Sequence, residues 1–385
     1  MKGGVIGGSL LVAGTAVGAG MLALPIVTGA MGFAPSLALY AICWLFMCCT
    51  GLLILEICLK MPPGVNLVSM AQKYLGDVGK WGAWALYLFL FYSLSVAYVS
   101  GGGGLLATWL GMSQKWTGPL IFAGALAPCV YFGAKIVDRM NWLFMAGLVG
   151  SYLLFIAYGS AHVDETMLAR REWGSMLSAL PIVFTSFSYQ GIIPSLVGYL
   201  RRDAKKVRLA IICGTALAFA IYLVWEWLIL GIVPKEGLEM AKVQGETAVQ
   251  PLRAVLGDAS VVAIGQAFAF FAITTSYLGV TLGLFDFLAD GLQWAKKGMQ
   301  RFHLGLITFI PPLIIALLNP AIFLRALGYA GGIGCALLLG FLPALMAWIS
   351  RKRDEKGEIF VAGGRFTLCA FICFALFEVI LEFIN

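Results

Sequence analysis

Charge is what this chain is short of. Of its 385 residues only 12% are Asp, Glu, Lys or Arg, about half of the roughly 25% found in a soluble domain. With a 61% hydrophobic content, that shortage excludes a soluble globular protein and leaves little mass outside a bilayer. Histidine is scarcer still: His162 and His303 are the only two. No His/Cys/Asp/Glu cluster has metal-ligand spacing, and nothing calls for a cofactor. The nine cysteines are odd in number and sit in or at the ends of apolar segments. A disulfide framework is therefore not expected, and the thiols read as small core hydrophobes. The net charge of +7 does not point to nucleic acid, because the basic residues are confined to particular loops. A cleavable leader is not expected either: Lys2 and the apolar run after it imitate one, but the run is too long and lacks an A-x-A-like exit.

What is present is apolar length. Eleven spans are read at about 4–31, 33–60, 81–110, 117–134, 140–160, 174–199, 208–233, 259–289, 302–319, 321–349 and 364–384, each near the ~20 residues that cross a bilayer. With the N-terminus inside, 19 of the 26 Lys and Arg residues fall on cytoplasmic segments, among them Arg201, Arg202, Lys205, Lys206 and Arg208. The other side keeps Lys115, Arg170, Arg171, Lys235, Lys242, Arg253 and Arg325, with acids such as Asp164, Glu236 and Asp258. That bias sets orientation, and an odd span count puts Asn385 outside. The longest outer loop, 234–258, is either a tether or a lid.

Two spans contain breaks. Residues 14–25, GTAVGAGMLALP, place Gly14, Gly18, Gly20 and Pro25 inside an uncharged run. Glycine costs about 1 kcal/mol and proline about 3 in a helix interior. Lipid offers freed backbone groups no partner, so a break at this depth must face protein, water or a ligand. Residues 186–195, SFSYQGIIPS, repeat the pattern in the sixth span. Spans one and six open successive blocks of five, and five is odd, so the blocks enter the membrane from opposite sides. Matched breaks in an inverted repeat are the mark of a secondary transporter. The expected fold is all-α and polytopic, a 5+5 inverted repeat over 4–160 and 174–349, with 364–384 appended.

In such a fold the breaks meet near the midplane and suit a zwitterion, with carboxylate on free amides and ammonium on free carbonyls. The backbone of Thr15, Ala16, Val17, Gly18 and Gly20 is expected to hold the carboxylate. Carbonyls near Thr185, Ser186, Phe187 and Ser188 would take the ammonium, and Tyr189 and Gln190 supply polar contact. Tyr92, Ser95 and Val99 share a face of the third span, and Phe268, Phe270 and Phe271 lie in the eighth; these are candidates to stack on a flat ring. Charged residues inside spans are functional candidates by default. Glu226 is placed for proton exchange or as a structural hydrogen-bond partner. Glu56 reads first as the partner of Lys60 one turn on, and Asp286 lies near the inner end of the eighth span. Thr274, Thr275 and Ser276 could form a sodium site with first-span carbonyls, so coupling stays open between proton and sodium. A membrane-embedded enzyme would need catalytic groups converging at one depth, which the spans lack; a channel would avoid a closed midplane site.

The chain resembles the hydroxy/aromatic amino acid permeases of bacteria, the tyrosine and tryptophan permeases. The matching stretches are 14–25; Leu55-Glu56 with 62–64 and Met70-Ala71; 137–141 (VDRMN); 179–187 (ALPIVFTSF); 191–194 (GIIP); 222–226 (YLVWE); and 278–290 (LGVTLGLFDFLAD). The resemblance implies a LeuT-like fold in the amino-acid/polyamine/organocation group. It further implies proton-driven uptake of an aromatic amino acid, tyrosine first and tryptophan second, across the bacterial inner membrane. The chain departs from the family at Tyr189-Gln190-Gly191, where relatives often carry Phe-His-Gly. Gln190 hydrogen-bonds but cannot titrate, so any histidine-based coupling does not transfer. A phenol held by Gln190 would make Gln190→Leu lower tyrosine uptake more than phenylalanine or tryptophan uptake.

Overall fold

A computed structural model describes residues 4–114, 116–256, 259–353 and 357–384. Lys2, Lys115, Asp258, Lys356 and Asn385, which enter the charge comparison, lie outside them. Every regular element among the described residues is helical. Nine helices are long and apolar enough to cross a membrane; the pair Val5–Ala16 and Ala19–Thr28, bent by 49° at its break, makes a tenth span. The expected fourth span is the 16-residue helix Thr117–Phe132. At 1.5 Å per residue it reaches ~24 Å, short of a ~30 Å hydrocarbon core.

Two elements differ from the sequence reading. The third span belongs to a helix, Leu67–Trp109, that starts well before residue 81. Asn66 begins it with a capping box: its side chain accepts from Ser69 N at 2.9 Å, and Ser69 Oγ accepts from Asn66 N at 3.0 Å. Gly76, at φ 70° and ψ −157°, then turns the chain, so the polar first part is set off from the span proper. Lys73, Asp77 and Lys80 hide this part from any search for apolar runs. The tenth span, Phe323–Lys352, is π-helical over Ala330–Phe341. π-helix is rare and concentrates at functional sites, and its sequence reads as ordinary apolar helix.

Lipid tails give helices no hydrophobic reason to associate, so close packing of small residues must hold the bundle. Gly102 shows this: a Cβ there would lie 2.6 Å from Phe122. The second span, Phe33–Leu59, is central, with 72% of its apolar window buried, whereas Gly364–Ile384 has 22% and lies at the rim. Val5–Ala16 runs along Ala204–Ile232, and the sixth span packs on Phe33–Leu59. Likewise Ala259–Leu292 runs along Ala134–Gly159, and Leu67–Trp109 packs on the tenth span. These pairings bring both breaks to the centre of the bundle.

Candidate functional site

In the first span, helix Val5–Ala16 gives way to extended backbone at Val17 and Gly18 before a 3-10 turn, Ala19–Leu22, restarts it. Gly18 has φ −166°, a value any residue adopts. What excludes other residues is space, since a Cβ at Gly18 would overlap Ser276 Oγ. That hydroxyl accepts the Ala19 N–H at 3.0 Å, satisfying one of the orphan donors of a helix start.

The sixth span stops at Ser186 and resumes through Gln190–Ile192 into Ile193–Tyr199. The Gln190 amide closes this gap. Its Oε1 accepts from Tyr189 N at 2.9 Å, and its Nε2 donates to Met47 O at 3.3 Å and Thr50 Oγ1 at 3.1 Å. Thr185 Oγ1 lies 2.8 Å from Leu327 O and 3.1 Å from Pro181 O, tying the outer half of the span to the tenth.

The breaks lie side by side. A Cβ at Gly20 would come within 2.9 Å of Ser186 Oγ, and the Tyr222 hydroxyl is 2.6 Å from both Ala16 O and Ser186 O. A cavity of about 470 Å³ opens beside them, a volume in the range of small-molecule sites. Thr15 and Val17 line it from the first break, Ser188 and Gly191 from the second, and Thr275 and Ser276 from the eighth span. Tyr87, Phe91 and Tyr98 form an aromatic wall, and Asn141 adds an amide. Gly14, Thr15, Gly191 and Gly279 are solvent-exposed here, although mid-span. Of these groups, Asn141 lies just after the basic segment 135–139 and Gly279 lies on the part of the eighth span that runs toward the basic segment 296–301. The opposite side is sealed: Leu22 and Leu24 are fully buried, and the outer loop bonds across the first span through Ala248 N and Leu22 O at 2.9 Å. The described part of this loop, 234–256, therefore packs as a cover and not as a loose tether.

The profile of the tryptophan/tyrosine permease family matches residues 1–382. The chain belongs to this family. The permease is 36% identical over 364 residues to the tryptophan-specific transport protein of Pseudomonas aeruginosa, spanning 91% of this chain and 87% of that one. It is 34% identical over 383 residues to tyrosine-specific transport system 2 of Haemophilus influenzae, spanning 96% and 93%. Among solved structures, MhsT in complex with L-phenylalanine superposes with a TM-score of 0.69 at 15% identity, covering 98% of each chain. The permease thus has the LeuT-like fold, and it is a transport protein and not an enzyme.

Other residues singled out in the sequence are distributed unevenly around the cavity. Tyr92 donates to Ile307 O at 2.8 Å on the ninth span, and Ser95 is buried without contributing to the wall. The permease presents the neighbouring stripe instead, Tyr87, Phe91, Leu94 and Tyr98, whose spacing of about four was the available signal. Phe187 packs edge-on against Tyr222 at 5.0 Å, and Phe268 lies against Trp225 at 4.9 Å. Phe270 and Phe271 meet Phe144, so these rings form core and not cavity. Tyr189 is buried, its hydroxyl 3.3 Å from Met47 O. Thr275 bonds back to Phe271 O at 2.9 Å, while the Thr274 hydroxyl is buried with no partner among the described residues.

The acids separate by environment. Glu56 is buried between Lys60 Nζ at 3.2 Å and the Arg351 guanidinium, whose Nη2 is 2.7 Å from Oε2. This joins the inner ends of spans two and ten. Asp286 is exposed and paired with Lys296 at 2.7 Å. Glu226 is 1% exposed, with Tyr40 donating to Oε2 at 2.6 Å. Its Oε1 is 2.5 Å from Thr28 Oγ1, which is itself 2.7 Å from Leu24 O. One threonine hydroxyl has one hydrogen. If that hydrogen goes to Leu24 O, Oε1 must carry its own, and a protonated Glu226 completes every bond in the chain.

Proposed function

We propose that the permease is a secondary transporter that carries an aromatic amino acid into a bacterial cell by alternating access, coupled to protons. The cavity that both breaks border carries this reading. It offers helix-break backbone to a carboxylate and an ammonium and an aromatic wall to a flat ring, where offset stacking adds ~0.5–1.5 kcal/mol per pair. We assign the carboxylate to the backbone around Val17 and Gly18 and the ammonium to the region of Ser188. Relatives named for tryptophan and for tyrosine stand at similar identity. Tyr189 and Gln190 both border the cavity, but the Tyr189 hydroxyl and the Gln190 Nε2 are bonded to the second span, which weakens the case for a dedicated phenol contact. A wall of rings with Asn141 suits either amino acid.

Proton coupling draws support from Glu226, which links spans one, two and seven through bonds that are complete when it is protonated. We place the permease in the inner membrane with its N-terminus cytoplasmic, as the charge bias requires. The repeats 4–160 and 174–349 fit the mirrored packing of span one on seven and six on two. Counterflow in proteoliposomes, with labelled tryptophan against a panel of unlabelled amino acids, tests the substrate class. Exchange by tryptophan, tyrosine or both, and none by aliphatic amino acids, is expected; no aromatic exchange would overturn the reading. Repeating uptake under imposed proton or sodium gradients decides coupling, and sodium dependence at uniform pH would move it to Thr275 and Ser276.

A further inference from the structure

The last span lies at the rim of the bundle and reads as plain apolar helix, yet it carries two carboxylates one turn apart. Glu378 is fully buried, and neither of its carboxylate oxygens has a hydrogen-bond partner among the described residues. An ionisable side chain within a membrane span is costly and marks an ion pathway by default.

The packing of Gly364–Ile384 against the π-helical stretch fixes where it points. A Cβ at Gly328 would lie 3.1 Å from Glu382 Oε1, and one at Gly340 would lie 3.2 Å from Ala375 Cβ. This antiparallel register sets Glu378 opposite the middle of the π-helix. Cys335, at the middle of that stretch, and Cys43 on the second span are buried thiols of the surrounding helices. Neither thiol brings a countercharge, and Glu382 on its own helix is a second acid. Glu382 stands one turn nearer the chain end, on the same face. It borders a separate cavity of about 450 Å³ with Lys242, Arg325 and Tyr329 at the outer ends of the helices. On the inner side, Leu339 of the same stretch lines the substrate cavity together with Ser188.

We propose that Glu378 and Glu382 form a proton-binding pair that loads from the outer face and reports to the break in the sixth span. The two carboxyls are not hydrogen-bonded in this packing, so the proton of the Glu382 carboxyl passes to the Glu378 carboxylate through one intervening water. Glu382, now anionic, takes another from water in the outer cavity. Among the described residues no Lys or Arg pairs with Glu378, so a proton is what neutralises it; Lys242 and Arg325 stop at the cavity wall. A charged Glu378 would press against the π-helix, whose Gly331 packs directly on Pro181 and Thr185 of the outer half of span six. Protonation therefore favours one packing of span ten on span six. The pair is distinct from Glu226, and the proposal rests on the proton-coupled reading above.

The test compares two uptake modes in proteoliposomes loaded with the wild type, Glu378→Gln, Glu382→Gln or Glu226→Gln, using labelled tryptophan and tyrosine. One pH unit, acid outside, accumulates substrate about tenfold per coupled proton. Glu378→Gln is expected to lose that factor while gradient-free counterflow persists. Glu382→Gln is expected to keep accumulation but to need a more acidic outer face for the same rate. Wild-type accumulation retained in Glu378→Gln would overturn the proposal, as would a wild type indifferent to the proton gradient, which would also overturn proton coupling. Loss in Glu226→Gln alone would leave proton coupling standing and remove this pair. If Glu378→Gln does not insert, the half-buried Glu382 decides: an unchanged pH profile in Glu382→Gln overturns the pathway.

Discussion

At the scale of single residues, the two break positions show how far composition reaches. Gly18 was legible as an interruption, because a glycine so deep in an apolar run weakens helix. Its reason was not: the group that forbids a side chain is Ser276, on the eighth span and 258 positions along. Gly18→Ala is expected to lower uptake about fivefold to a hundredfold, since overpacking of this kind costs ~1–3 kcal/mol, with membrane insertion unchanged. In Gly18→Ala/Ser276→Ala the new methyl meets a Cβ 3.6 Å away, so uptake should recover in part; a double variant no better than Gly18→Ala would refute the steric account. Gln190 teaches the opposite lesson. A polar residue in a break invites assignment to a ligand, yet all its bonds go to Tyr189, Met47 and Thr50. Gln190→Leu should then reduce tyrosine, tryptophan and phenylalanine uptake by the same factor, in competition assays on one preparation. Gln190 borders the cavity, and a selective loss of tyrosine would make it a contact to the phenol.

At the scale of elements, the breaks in spans one and six stood out because glycine and proline leave a local signature. The surface helix ahead of the third span did not, because its charges mask a segment whose helicity comes from the Asn66 cap. Nor did the π-helical stretch, which owes its form to packing between spans six and eleven and not to its own sequence. The joint between spans two and ten was half legible: Glu56 and Lys60 share a helix, but Arg351 joins from a distance of 295 residues. Removing one member of a buried ion pair costs ~3–5 kcal/mol, because it strands the other charge. Glu56→Ala should therefore lower the melting temperature of the detergent-solubilised permease by several degrees, read by a thermal aggregation assay. Glu56→Ala/Arg351→Met should recover much of the loss, and equal melting of Glu56→Ala and wild type would show that the joint carries no stability.

At the scale of the whole molecule, apolar length was enough to mark the spans, because a bilayer imposes a length on any chain that crosses it. The side from which the cavity is entered was not legible, since both states of a carrier share one sequence. Here the basic-loop side is open and the outer loop is bonded to the first span through Leu22. Under the proposed import mode, with the basic loops in the cytoplasm, a carrier poised this way begins each cycle with an empty return trip, and outside substrate must wait for it. Substrate already within the cell finds the door unlocked and rides that leg in the other direction. Preloading vesicles with unlabelled tryptophan should then quicken the entry of labelled tryptophan, and freeing the outer cover by Ala248→Pro, which removes the N–H given to Leu22 O, should shrink the advantage. The same bond that shuts the outer face would in that case set the tempo of the whole turnstile.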